Sequence, residues 1–412
     1  MKISSVLLGT AAIAGLTTAG YAADLGVVTS LDVCDSLGIS GLTISSDDNC
    51  LAISGNISFE YDYGDYELAG NALDISDPFA RSGNVVTIIQ AGGVPDSTVD
   101  IDWWLKFVAT ADSDFGPATA TLKLANNNWA GNASGSVWVK EAWVGIGDTT
   151  QLMAGYKGSI FNDGDDAPLN YLGLFNSGDV NTGVGFANSL TTGGTVIQVM
   201  SNLGNGLSIG GGLENLGSHT FGPPNWTAVG VLSYSGDGLT AHVSTAMDDD
   251  SNWRLHAGFT GTWDKVKVVG AVAADNTGWW NALGSAQATF DMFTLAGSIE
   301  ATSAGEWGAG ASATATVSDG VTVNVGGRYF QFVGGDYIAQ VEAGVSAAVT
   351  EAITLSGSIG AYQSTGANAT SDYYGVGKVT FSPGGGFDAS ASLEAHSTGG
   401  YKAAFKASKS IK

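Results

Sequence analysis

The dominant signal along the chain is alternation of apolar and polar residues with period two. From Phe387 to His396, Phe387, Ala389, Ala391, Leu393 and Ala395 fall on one face, and Asp388, Ser390, Ser392, Glu394 and His396 on the other. Ile57, Phe59, Tyr61 and Tyr63 oppose Asn56, Ser58, Glu60 and Asp62 in the same way. Leu255, Ala257, Phe259 and Trp263 oppose Arg254, His256, Thr260 and Thr262. Such alternation predicts β-strands with two unlike faces. Between the segments lie Gly204-Asn205-Gly206, Gly236-Asp237-Gly238, Asp264-Lys265 and Ser318-Asp319-Gly320. Gly, Asn and Asp tolerate the positive φ that tight hairpins require. About 20 such segments run from Ile53 to Ile411 as successive hairpins, and no domain boundary falls among them.

A soluble sandwich also alternates, so three further observations decide. The segments run to about ten residues, the length that crosses a bilayer as a tilted strand. A long series of hairpins leaves unpaired edges unless the sheet closes on itself, which a membrane requires. Aromatic residues gather at segment ends: Trp226, Trp253 and Trp307 at one end, and Trp263, Phe290, Phe293, Phe381 and Phe387 at the other. Paired aromatic girdles are expected of outer-membrane barrels. The predicted fold is therefore an all-β, antiparallel transmembrane barrel with its apolar face to lipid. The polar face lines a lumen, and a barrel of about 16 strands or more leaves an aqueous channel there.

The first 22 residues read as an export signal. Lys2 supplies a positive start, Val6 to Thr18 is apolar, and Gly20-Tyr21-Ala22 offers small residues at a cleavage site. Residues 23–52 then form an N-terminal segment on the periplasmic side, and 53–412 the barrel. Cys34 and Cys50 are the only cysteines. In an oxidising compartment they are expected to pair, two separate thiols being the alternative.

Composition narrows the function. Charged residues make up 13% of the chain, about half the ~25% usual for soluble proteins. Beyond the leader no apolar run approaches the ~18 residues of a membrane helix. Fifteen Lys and Arg against 39 Asp and Glu give a net charge of −24, which disfavours nucleic acid and favours cations. No cofactor is implied. His219, His242, His256 and His396 are dispersed without metal-ligand spacing. Gly206-Leu207-Ser208-Ile209-Gly210 spells Gly-x-Ser-x-Gly, but on an alternating strand, where a nucleophile elbow needs a strand-to-helix turn. No enzyme is expected.

Two stretches lack alternation. Gly64 opens a loop to about Pro95. A second runs from Gly158 to about residue 180 and holds Asp163, Asp165, Asp166 and Asp179 among Ile160, Phe161, Leu169, Tyr171, Leu172, Leu174 and Phe175. Loops of this length are usually functional. Its apolar content implies packing, either into the lumen as a constriction or over the rim.

Val33-Cys34-Asp35, followed by Cys50-Leu51-Ala52-Ile53-Ser54-Gly55, resembles the N-terminal signature of the outer-membrane porins of α-proteobacteria, the rhizobial and Brucella type. Ala142 to Phe161, with Met153-Ala154-Gly155-Tyr156-Lys157, is similar to that family's strand leading into its constriction loop. Gly193 to Asn215 looks like the strand pair that follows. The resemblance implies a homotrimer of 16-stranded channels in outer-membrane lipid and lipopolysaccharide, passing small hydrophilic solutes, with the third external loop folded inward. By that likeness Asp163, Asp165 and Asp166 are the constriction acids. The chain departs from the family in its longer strand count and in its end, Phe405 to Lys412, where many porins close on an aromatic residue.

Selectivity in such a constriction comes from bore and from rings of charge. Alternation places Lys106, Lys123, Lys157, Arg254, Lys267, Arg328 and Lys378 inward, since Lys or Arg facing lipid would cost ~2–4 kcal/mol at the midplane. Arg254 and Arg328 are the chosen candidates for the wall opposite the loop, and Lys157 and Lys123 are further constriction candidates. The acid excess predicts a cation-preferring diffusion pore. The alternatives are a substrate-specific channel and a non-conducting adhesin or structural barrel.

Overall fold

The computed structural model describes residues 31–66, 73–76, 85–88, 93, 95–126, 136–169, 183–217, 225–366, 369 and 371–411. A short helix, α1 (Leu31–Ser36), precedes β1 (Leu42–Ser45) and β2 (Cys50–Asp65). β3 (Leu73–Ser76) and β4 (Val85–Ile88) pair with each other as a small hairpin. There follow β5 (Asp96–Ala111), β6 (Ala118–Asn126), β7 (Trp138–Ile146), β8 (Thr150–Lys157), β9 (Gly194–Gly204), β10 (Leu207–Glu214), β11 (Thr227–Gly236), β12 (Leu239–Asp248), β13 (Trp253–Trp263) and β14 (Val266–Asp275). The chain continues through β15 (Trp280–Phe290), β16 (Phe293–Thr302), β17 (Trp307–Ser318), β18 (Val321–Gln331), β19 (Tyr337–Ala348), β20 (Ile353–Ser364), β21 (Ser371–Gly384), β22 (Phe387–His396) and β23 (Tyr401–Ile411).

From β5 onward each strand pairs antiparallel with the next, and β2 pairs with both β5 and β23. Among the described residues this closes a barrel of 20 strands, β2 and β5 to β23. The alternating pattern predicted this number, and it exceeds the 16 that the resemblance implies. At the seam β23 reaches only to Gly55, opposite Ile411. Below that point β1 takes the open edge of β2, with Leu42 opposite Ile53 and Ser45 opposite Cys50. The Cys34–Cys50 disulfide, with Cα atoms 4.9 Å apart, ties α1 to the first residue of β2. Closing a loop of that size contributes about 3 kcal/mol in the chain-entropy model. Gly64 does not open the first long connection: β2 runs to Asp65, and the β3–β4 hairpin interrupts the stretch before Asp96.

The two faces separate as the sequence predicts. Ile57, Phe59, Tyr61 and Tyr63 are exposed on the outside, whereas Asp62 on the inner face is buried. Ile359 is 70% exposed outside and Gln198 fully buried inside. An apolar outer band of this kind is what lipid covers. One rim carries tight turns. Asn205 and Gly206 take φ of 52° and 80°, Asp237 and Gly238 49° and 75°, as two-residue hairpins require. A Cβ on Gly206 would stand 2.2 Å from the Ser235 carbonyl oxygen, so only glycine fits. The other rim carries the longer connections, and there Trp253, Trp280 and Trp307 open β13, β15 and β17. Trp263, Phe290, Phe293, Phe381 and Phe387 flank the tight turns, completing a girdle at each rim.

Candidate functional site

Beyond Lys157 the chain does not turn straight back into β9. Its described parts, 158–169 and 183–193, lie inside the barrel against the inner faces of β10 to β15. The neck is held by one carboxylate. Glu214 on β10 is fully buried and accepts hydrogen bonds from the Ile160 amide (2.9 Å), the Gly193 amide (2.6 Å) and the Gln198 side-chain amide (2.8 Å). It thus joins the outgoing and returning limbs of the loop to the wall. Gln198 also donates to the Gly158 carbonyl and accepts from Lys157 Nζ.

The outgoing limb is seated on β12 and β13. The Asn162 amide donates to Ser244 Oγ at 3.0 Å. Asp165 accepts from Thr240 Oγ1 at 2.5 Å and lies 3.2 Å from His242 Nδ1. Burial pushes its carboxyl up, but hydrogen bonds from Thr240, Thr260 and His242 outweigh this and hold it below the ordinary value. Asp166 is buried and accepts from the Val184 amide at 3.1 Å. Gly258, opposite His242 in the sheet, makes this seat possible. A Cβ there would stand 2.8 Å from the Gly164 carbonyl oxygen and 2.9 Å from His242 Cε1.

The returning limb uses β13 to β15. Asp275 Oδ2 accepts from the Ala187 and Asn188 amides, and Asn281 Oδ1 from the Gly185 amide. The Arg254 guanidinium donates to the carbonyl and side-chain oxygens of Asn188 and stacks 4.9 Å from the Phe186 ring. Two apolar clusters complete the contact. Val184 packs with Val269, Ala271, Ala273 and Leu283, flanked by Leu169 and Phe186. Leu190 packs with Val229 and Ala246, flanked by Ile160 and Phe161. The inner face therefore carries apolar patches where the loop lies, a feature that a uniformly polar lumen face does not anticipate.

The positively charged side chains form a separate patch. Lys106, Lys123 and Glu141 are successive partners across β5, β6 and β7. Lys106 pairs with Glu141 at 3.3 Å, Lys123 lies over the Trp104 ring, and Lys157 over the Trp143 ring. Trp143 in turn donates to Glu141. Farther round the wall Lys406 pairs with Glu60 at 2.6 Å and Lys402 with Asp62 at 2.7 Å.

The three loop acids thus differ. Asp163 is exposed, whereas Asp165 is half-buried and Asp166 buried against the wall. Arg254 does not stand opposite the loop: β13 is one of the strands on which the loop lies, so its guanidinium is taken up by Asn188. Arg328 lies on β18, buried, with its guanidinium 4.1 Å from the Phe330 ring centre. Tyr171, Leu172, Leu174, Phe175 and Asp179, and the leader peptide, lie outside the described residues. Sequence reading missed Glu214, Asp275 and Asn281 as anchors, and missed the pairing of two histidines. His256 is opposite Ser244, two residues from His242 on the same face, so the two histidines are diagonal neighbours on the inner face of adjoining strands. Their imidazoles stack at 5.0 Å with an interplanar angle of 2°.

A 20-stranded barrel with its longest connection, between β8 and β9, folded against the inner wall has the layout of a constricted channel. The family model described as the Porin subfamily matches residues 27–380. The chain belongs to this porin family. Membership agrees with the resemblance carried by the Cys34 and Cys50 motifs. It makes the chain a channel-forming barrel of the outer membrane of a Gram-negative bacterium, surrounded by lipid and lipopolysaccharide, and not an enzyme. Among solved structures the chain is similar to a porin double mutant from Rh. blastica, with 12% identity over 87% of this chain and 99% of that one and a TM-score of 0.40. It is also similar to a loop-deletion mutant of OmpT, an outer membrane protein of Vibrio cholerae (9% identity, 88% and 100% covered, TM-score 0.39). The outer membrane channel DcaP of Acinetobacter baumannii gives 13% identity, 90% and 100% coverage and a TM-score of 0.37. No curated protein sequence matches the chain.

Proposed function

We propose that this porin is a cation-preferring diffusion channel for small hydrophilic solutes and ions, acting as a homotrimer, with segment 158–193 as its constriction. One observation carries the reading. Among its described residues the loop inside the lumen presents Asp163 as an exposed acid, while Lys106, Lys406 and Lys402 of the facing wall pair with Glu141, Glu60 and Asp62. Neutralised lysines attract few anions, and an exposed acid in a water-filled constriction concentrates cations. Asp165 and Asp166 act differently, as anchors that position the loop. The rim with tight turns faces the periplasm, as in other barrels of this kind, with the Cys34–Cys50 segment on that side; residues 1–22 act as the export signal.

Purified protein in a planar bilayer under a KCl gradient tests this. The expected record shows stable steps in groups of three and a cation-selective reversal potential. Saturable conductance blocked by one solute would favour a substrate-specific channel. No conductance from folded barrel would favour an adhesin or structural role.

A further inference from the structure

The stacked histidines join the two anchoring acids of the loop into one chain of four groups. Asp165 Oδ2 lies 3.2 Å from His242 Nδ1, His242 Nε2 lies 2.8 Å from His256 Nδ1, and His256 Nε2 lies 3.6 Å from Asp166 Oδ2. Both imidazoles are fully buried. Each of the three contacts needs one proton to be a hydrogen bond. Two neutral imidazoles carry two protons between them. One contact must then face lone pair against lone pair, and the long one is the His256–Asp166 contact, where buried Nε2 has no hydrogen bond. A third proton fills all three contacts. It also sets one positive charge between two carboxylates, the arrangement that offsets the desolvation of a buried cation. A fourth proton would set two N–H groups and two cations against each other across the 2.8 Å contact and is excluded by repulsion.

We propose that the His242–His256 pair is a proton-operated latch that positions the constriction loop: one added proton, shared by the imidazoles, bridges Asp165 and Asp166 and fixes the loop to the β12–β13 wall. The carboxylates belong to the loop and the imidazoles to the wall, so the seated loop binds the proton more tightly than the unseated one. By linkage, seating strengthens as pH falls through the imidazole range and weakens as it rises. Other charged groups face the same region. Asp163 comes from the loop, Arg254 from β13, Asp275 and Lys267 from β14, and Asp248 from β12. Arg254 and Asp275 are direct partners in the sheet and engage Asn188 instead of the imidazoles.

The latch rests on the loop's place in the lumen, and on the pore reading only for its effect on current. Hydrogen exchange of the 158–169 backbone in detergent-solubilised protein, corrected for intrinsic rates, reads seating without reference to conduction. Between about pH 5 and 8 protection should fall as pH rises, by at most roughly tenfold per pH unit for the single shared proton. His256→Gln, which keeps a hydrogen-bonding side chain but takes up no proton, should flatten that dependence. Asp166→Asn, which leaves both imidazoles in place, should reduce it. His396→Gln should leave it unchanged, since His396 sits on β22 between Asp372 and Glu394, away from the loop. Protection that does not vary with pH in the native protein, or a dependence that survives His256→Gln, overturns the latch. A barrel that conducts nothing yet shows the dependence counts against the pore and for the latch.

Discussion

Strands β10 to β15 and strands β23, β2 and β5 to β7 share an apolar outer face but line the lumen in different ways. The first wall is packed against the loop, with Val229, Ala246, Val269, Ala271, Ala273 and Leu283 facing inward among Glu214, Asp275 and Asn281, whose side chains meet loop amides. The second is a ladder of charge, with Lys106–Glu141, Lys402–Asp62 and Lys406–Glu60 facing water. Period two tells which residues point inward. What those residues meet, a loop or the solvent, is a separate property. It is written in whether the inner positions are small and apolar or long and charged.

The largest break in this contrast is expected from Glu214→Ala. The carboxylate is fully buried and satisfies the Ile160 and Gly193 amides. Removing it leaves each amide unsatisfied at a cost of about 1–3 kcal/mol. The neck should loosen, and single-channel recordings should show a higher, strongly fluctuating conductance. Gly258→Ala comes next. Its Cβ would press on the Gly164 carbonyl oxygen at 2.8 Å, where backbone cannot yield as a flexible side chain does. The loop should be displaced while the barrel keeps its strand content, measurable as raised conductance with unchanged circular dichroism.

Acid should release the loop by a different route from base. Asp165 has its carboxyl lowered by Thr240, Thr260 and His242 against the effect of burial. A group whose folded pKa is depressed stabilises fully above its unfolded value, about 3.9 for aspartate, and that stabilisation is lost as pH falls through the lower folded value. Loop protection should therefore collapse in strong acid, even though it strengthens from neutral toward mildly acid pH. The smallest effect is expected on the charged wall. Lys406→Met removes a half-exposed ion pair with Glu60, and such pairs contribute about 0–1 kcal/mol after solvent screening. Thermal unfolding should barely move, while the freed Glu60 should make the channel slightly more cation-selective.

The barrel was legible because each strand repeats one rule. Residues such as Phe387 and Leu393, or Ile353 and Ile359, mark the outer face without reference to any other strand, and aromatic residues mark the rims. Counting those segments leads to 20 strands, whereas the family likeness alone implies fewer. The Cys34–Cys50 bond was legible because no other cysteine competes. The loop's position was legible only in outline. Ile160, Phe161 and Leu169 show that the segment packs, but the surface they pack on is assembled from strands more than 50 residues away in sequence, as the Ile160–Glu214 bond illustrates with a separation of 54. Arg254 shows the same limit. Its inward direction follows from alternation, but which side of the lumen it occupies depends on where the loop lies. The histidine pair could have been found, because the turn around Asp248 to Asn252 sets His256 opposite Ser244, on the same face as His242 and two residues from it.

The central claim is that, among the described loop residues, Asp163 is the acid exposed to the constriction while Asp165 and Asp166 anchor the loop. The reversal potential under a KCl gradient, recorded for the native protein and for Asp163→Asn, tests this most directly. A cation-selective potential that moves toward zero in Asp163→Asn, with conductance nearly unchanged, is the predicted result. A native channel that prefers anions, or one whose selectivity ignores Asp163→Asn, would contradict it.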